Sequence, residues 1–453
     1  MAISGSEVHL LVLIHGMWGN PTHLAEMYRI IQEVKGKSND VSSRLHVLLA
    51  EANKDAHTYD GIDWGGERVA QEIFDEIEKI EGEGKKVTHF SITGYSLGGL
   101  LSRYVVGILY QRDLFKTITP INFNTVATPH IGLLRYTSFW SRLSSTLGPT
   151  LLSRTGEQFY GVDVFSERGR PLLEVMADPK RPFYQGLSLF PHIRIYANTV
   201  NDLTVPYITA AIEPEDPFYD HKTTGLQIEF DEKYSPIVKS WTLPDTPPSS
   251  PPKPRIFTWQ WFKNHLPRLA LPPFLQRRFP LNILVFIALP ILIPMFFILL
   301  LVRLALSARS SRKRIMLLEK DTSASGRLAQ VVGELERQME DVVVDFIDSS
   351  SSYRDESPAA SDPSPPFENS HERDSVRRDS ATKAKLAAEP HLTERQYKMI
   401  ASLNAIPQLK KERVFLDPMR NSHATIISRD VQSFKFHRQG EGVLRHWADH
   451  FIL

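Results

Sequence analysis

VTHFSITGYSLGGLLSRYVVGILY, residues 87–110, decides the fold. Its first seven residues are apolar and β-branched enough for a buried strand, and LLSRYVVGILY has the apolar spacing of a helix. Between them GYSLGG (94–99) places a G-x-S-x-G on the turn from strand to helix, the geometry of a nucleophile elbow. So tight a turn leaves almost no room for side chains beside the serine, hence Gly94 and Gly98. Ser96 is lifted off the sheet, and the helix N-terminus behind it favours developing negative charge. Ser96 is therefore the candidate nucleophile.

Outward from this stretch, HLLVLIH (9–15), RLHVLLA (44–50), ITPINFNTVA (118–127) and HIRIYANTV (192–200) read as further buried strands. HLAEMYRIIQEV (23–34) and GGERVAQEIFDEIEKI (65–80) carry apolar residues at helical spacing. Strand and helix in alternation imply a mostly parallel sheet with helices on both faces, an α/β domain over residues 1–240. Residues 131–191 have no strong strand signal, and their helix-like pieces suit a cap over the sheet.

LIHGMWGNP (13–21) ends the first strong strand. Acyl transfer needs two backbone N–H groups aimed at an oxyanion. Leu97, just after the nucleophile, supplies one, and the loop opened by His15 and Gly16 supplies the other through Met17. His15 braces this loop. An acid and then a base should follow the serine along the chain. Asp202 ends the strand HIRIYANTV at a turn and can reach over the sheet edge to an imidazole. The competing reading is a turn-forming Asx residue. Asp163 and Asp178 are rivals that end no strand. For the base, His221, His265 and His423 all lie downstream. His423 has the best context, because VFLD (414–417) reads as a last strand and PMRNS as the polar turn after it.

The chain has 453 residues, 42% of them hydrophobic and 23% charged, which permits a large core and excludes wholesale disorder. A net charge of +1 gives no global pull toward nucleic acid. With no cysteine, thiolate metal sites, disulfides and a Cys nucleophile all drop out, and a reducing compartment fits. The N-terminus lacks a basic n-region and Ala2 stands where myristoylation needs glycine, so neither a cleaved signal nor that lipid is expected.

Beyond residue 240 the composition changes. Residues 241–280 are a Pro-rich and then basic, aromatic linker: 253–280 hold six basic residues and no acidic one, with Trp259 and Trp261. LNILVFIALPILIPMFFILLLV (281–302) carries no charge and is long enough to cross a bilayer, but Pro290 and Pro294 interrupt it. Both flanks are basic, whereas a single span favours positive charge on one side. Ser96 and Asp202 precede the segment and His423 follows it, so a single crossing would part base from nucleophile. A hairpin dipping into one leaflet is the expectation. Residues 303–348 read as a basic and then amphipathic helical stretch, 349–392 as disordered, and 393–453 as the return to the domain with His423.

At these residues a resemblance becomes plain. LIHGMWGNP, GYSLGG, NTVATPHIG, ANTVNDLTVPY and NSHATII together resemble the fungal branch of the putative serine esterase family, which includes a yeast lipid-droplet phospholipase and acylglycerol lipases. The resemblance covers about residues 6–232 and 405–430. It implies an α/β-hydrolase fold, with Ser96 as nucleophile, Asp202 as acid and His423 as base. It further implies hydrolysis of phospholipid or acylglycerol esters with no metal or organic cofactor. The expected partners are a lipid substrate and a membrane, at lipid droplets and the cytosolic face of the endoplasmic reticulum, and no nucleic acid. A thioesterase or protein deacylase, and a non-catalytic membrane tether, are the alternatives.

Overall fold

The computed structural model describes residues 7–36, 43–244, 281–320, 391–419 and 421–453. Strands β1 (Glu7–Ile14), β2 (Ser43–Leu49), β3 (Lys86–Tyr95), β4 (Thr119–Val126) and β5 (His192–Asn198) build the sheet. β6 (Gln227–Phe230) and β7 (Val238–Thr242) form a separate antiparallel pair, and β8 (Leu409–Val414) returns to the main sheet. The main sheet has the order β2-β1-β3-β4-β5-β8 with every pairing parallel. All six carboxyl ends therefore open on one edge, where sites of open α/β sheets form.

The strands are apolar on both faces because both faces are covered. Along β1, Leu10, Val12 and Ile14 enter one core while Leu11 and Leu13 enter another. The first core is closed by α2 (Ile62–Gly82) and α3 (Leu97–Gln111). The second is closed by α1 (Ala25–Lys35), through Met27, Ile30 and Ile31, and by the C-terminal helix Glu441–Asp449, through Val443, Leu444 and Trp447. Burying each such side chain is worth about 1.5–3 kcal/mol. This is why the last residues belong to the same body as the first. Between β4 and β5 the chain is helical: α4 (Phe139–Leu151), α5 (Ser153–Phe159), α6 (Leu172–Met176) and α7 (Pro182–Ser188).

Two readings are corrected. The last strand is Leu409–Val414 and not VFLD at 414–417. LKKERV hides its strand character because it lies at the sheet edge, where charged residues are tolerated and pair: Lys411 with Glu213, and Glu412 with Arg194. The apolar segment does not turn back within 281–302. It forms one helix, Leu281–Lys320, that runs through both prolines. Each proline deletes one helix bond, at about 3 kcal/mol. Ile291, Leu292 and Ile293 between them, and Met295 and Phe296 after them, stay helical. The helix's basic half packs on the domain, where Ala308, Ser311 and Ile315 are buried. The linker 245–280, His265 and residues 321–390 lie outside the described residues.

Candidate active site

Ser96 stands between β3 and α3 with φ 56° and ψ −123°, a backbone strain typical of functional sites. The surrounding glycines show why the elbow needs them. A Cβ on Gly94 would strike the Gly98 carbonyl, and one on Gly98 would strike the Ile14 carbonyl. A Cβ on Gly16 would come within 2.8 Å of Ser96 Cβ, so the two loops touch. The Ser96 N–H is tied to the Val126 carbonyl at 2.8 Å, which holds the turn against β4.

Register brings the partners to the same edge. Asn198 pairs with Val414, so the loops leaving β5 and β8 run side by side. Ser422 locks them together, its N–H donating to Asn201 O at 2.8 Å and its Oγ to Val200 O at 2.9 Å. His423 follows, with Nε2 at 3.0 Å from Ser96 Oγ and Nδ1 at 2.9 Å from Asp202 Oδ2. Ser96 thus donates to the imidazole, and the imidazole donates to the carboxylate. The Tyr95 hydroxyl donates to the His423 carbonyl at 2.9 Å and steadies the loop.

Asp202 fills both roles considered for it. Oδ1 accepts from Thr204 and Val205 N–H, an Asx turn, while Oδ2 accepts from His423 and from Asn198 Nδ2 at 2.8 Å. Burial opposes its charge, but His423, Val205 and Asn198 together hold the carboxyl below its usual range. His15 is buried with Nδ1 at 3.0 Å from Gly16 O, and burial lowers its affinity for a proton. The Met17 and Leu97 residues lie on the two loops that flank Ser96, Leu97 as the first residue of α3.

The rivals are placed elsewhere. Asp163 accepts from Leu172 N–H at 2.8 Å and caps α6. Asp178 pairs with Arg170 at 2.9 Å. His221 Nδ1 is 3.1 Å from Phe218 O, and its ring stands edge-on to Phe415. Sequence reasoning missed Asn198, Tyr95 and Ser422, whose roles depend on loops that meet only in the fold. Among the described residues no group of His, Asp and Glu is placed to hold a metal.

A parallel sheet with a serine on its elbow, an acid after the fifth strand and a histidine after the last defines an α/β-hydrolase. Residues 4–212 match the family Putative serine esterase (DUF676), the family that the motifs resemble. Curated relatives include the putative lipase C4A8.10 of Schizosaccharomyces pombe, 31% identical over 45% of this chain and 26% of that protein. The putative lipase ROG1 of Saccharomyces cerevisiae is 26% identical over 52% of this chain and 33% of that one. The chain thus spans about a quarter to a third of these relatives' length. Among solved structures, carboxyl esterase 2 of Tuber melanosporum is 19% identical, with a TM-score of 0.29, over 43% of this chain and 59% of that one.

Proposed function

We propose that the protein is a serine hydrolase that cleaves acyl esters of glycerophospholipids or acylglycerols at a lipid surface. The observation that carries this is the Ser96–His423–Asp202 hydrogen-bonded chain on the elbow. His423 Nε2 takes the Ser96 proton as Oγ attacks the ester carbonyl, and Asp202 stabilises the imidazolium. The amides of Met17 and Leu97 receive the oxyanion. His423 then protonates the departing alcohol, and water, activated by the same nitrogen, releases the fatty acid.

Support for a lipid setting comes from the long helix. From Ile291 to Val302 its large apolar side chains are 37–72% exposed, an apolar surface that water disfavours. Leu143 and Leu147 of α4, one helical turn apart and also exposed, add to it, and the helix is tied to α4 through Arg312 and Thr150 O. β7 and the helix's C-terminal half belong to one folded body, so a single net crossing would separate parts that touch. Monotopic attachment to the cytosolic face of the endoplasmic reticulum and to lipid droplets, whose one monolayer admits nothing else, meets this constraint. The test is a lipid digest with purified protein. Wild type should release fatty acid and Ser96→Ala should not, while fluorophosphonate labelling disappears with the serine. Labelling that persists in the folded variant would place the nucleophile elsewhere.

A further inference from the structure

The oxyanion loop and the lipid-facing helix meet through one short turn, Asp55–Tyr59. On one side this turn holds the loop. Asp55 N–H donates to Gly19 O at 2.9 Å, Trp18 N–H donates to Thr58 Oγ1 at 3.3 Å, and the Trp18 indole N–H donates to the Tyr59 hydroxyl at 2.8 Å. Trp18 has φ 54°, a left-handed backbone that a tryptophan rarely adopts, so these bonds hold it in place. Met17 is its immediate neighbour. The turn also stacks on α5, where Thr155 Oγ1 donates to Thr58 O at 2.7 Å.

On its other side the same turn carries the helix Leu281–Lys320. Ser307 lies beside the Tyr59 hydroxyl, the group that already receives the Trp18 indole. Arg314 donates twice to the Asp60 carboxylate, at 2.7 and 3.2 Å, and once to Ala56 O at 2.9 Å. Asp60 is fully buried, with Arg68 as its second cation at 3.2 Å. Ala308, Ser311 and Ile315 are buried at spacings of three and four along the docked face, with Ser307 next to Ala308, and the serines and alanine are small enough for close approach. The apolar half of this helix is the part exposed for lipid.

Resting on the assignment of Ser96 and its oxyanion loop, we propose that Tyr59 and Arg314 are positioning residues: the seat of the helix on the Asp55–Asp60 turn sets where the Met17 amide points. Acyl transfer then depends on the element that enters lipid. The oxyanion exists only in the tetrahedral state, so loosening this seat slows turnover while leaving ester binding alone.

The experiment uses the full chain, a soluble p-nitrophenyl butyrate substrate, and a trifluoromethyl ketone that forms a tetrahedral adduct on serine Oγ. Rates are taken per serine labelled at completion by a fluorophosphonate, so misfolded protein drops out. Removing an oxyanion donor outright costs about 100- to 1000-fold, so a loosened one should lower kcat roughly tenfold in Tyr59→Phe, Ser307→Ala and Arg314→Lys. KM should stay constant, and Ki for the ketone should rise by the factor that kcat falls. Trp18→Phe should match Tyr59→Phe, with the double variant no worse than either. Wild-type kcat and Ki in these variants, or additive losses in the double one, would overturn the coupling. Hydrolysis surviving in Ser96→Ala would instead overturn the active site itself.

Discussion

Asp202 divides its two oxygens between a turn and an imidazole, and this makes its substitution informative. Asp202→Asn keeps the size and an acceptor for the turn amides, but presents an N–H to His423 and favours the wrong tautomer. Turnover should fall by about 10⁴ with the fold retained, as for other triads that lose only the acid. The carboxyl is held below its ordinary value, so its stabilising contribution is full above that value, 3.8, and is lost as pH falls through the lowered one. Thermal melts of wild type and Asp202→Asn should therefore differ most at neutral pH and converge in acid. His423→Ala should cost several orders of magnitude in kcat, measured on a soluble ester. His221→Ala should cost little, because that ring is tied to Phe218 O and packs on Phe415. The reverse ranking would move the base.

At the scale of single elements, the elbow and the cap respond to different physics. Gly98→Ala drives a methyl into the Ile14 carbonyl, a backbone atom that cannot step aside. It should destabilise by about 1–3 kcal/mol, read by denaturant melts, and should silence Ser96 at once. Asp163 caps α6, and burial raises its carboxyl to about 6. An acid raised in this way costs stability above the folded value and costs nothing below the ordinary 3.8, where both states are protonated. Asp163→Asn keeps the acceptor for Leu172 N–H without the charge. Its melting temperature should exceed wild type above pH 6 and match it near pH 3.5; a lower value at pH 8 would show that the ionised cap is needed. Alternation and helical spacing made β1, β3, α2 and α3 legible, since these are buried on both faces or along one stripe. The polar edge strand β8 was shifted in the reading, and the β6–β7 pair was passed over, for the converse reason.

For the molecule as a whole, the helix Leu281–Lys320 changes the picture drawn from its prolines. Its C-terminal half is bolted to the catalytic body by Arg314 on Asp60, and Ser153 Oγ lies 3.2 Å from Ser311 Oγ. β7 ends in the same body at Thr242, so the chain must leave and re-enter on one side of any membrane. Reporters fused at 245 and at 360 should both face the cytosol, as read by protease protection. Deleting 288–302 should release the protein from membranes. A glycosylated reporter at 360 would mean that the helix separates domains which here are one.

By itself the sequence determined the parallel α/β sheet, the elbow at Ser96 and the turn that carries Asp202, because each rests on local chemistry: strand periodicity, glycine sterics, a turn-forming aspartate. It also determined that 281–302 is apolar enough to face lipid. Only the tertiary structure decided the rest. A histidine 327 residues from its serine finds it because β5 and β8 pair in register and Ser422 clamps their loops. Whether a basic stretch faces phosphates or a buried carboxylate depends on what the fold sets opposite it. For Arg314 that is Asp60, 254 positions away and out of reach of any pattern along the chain.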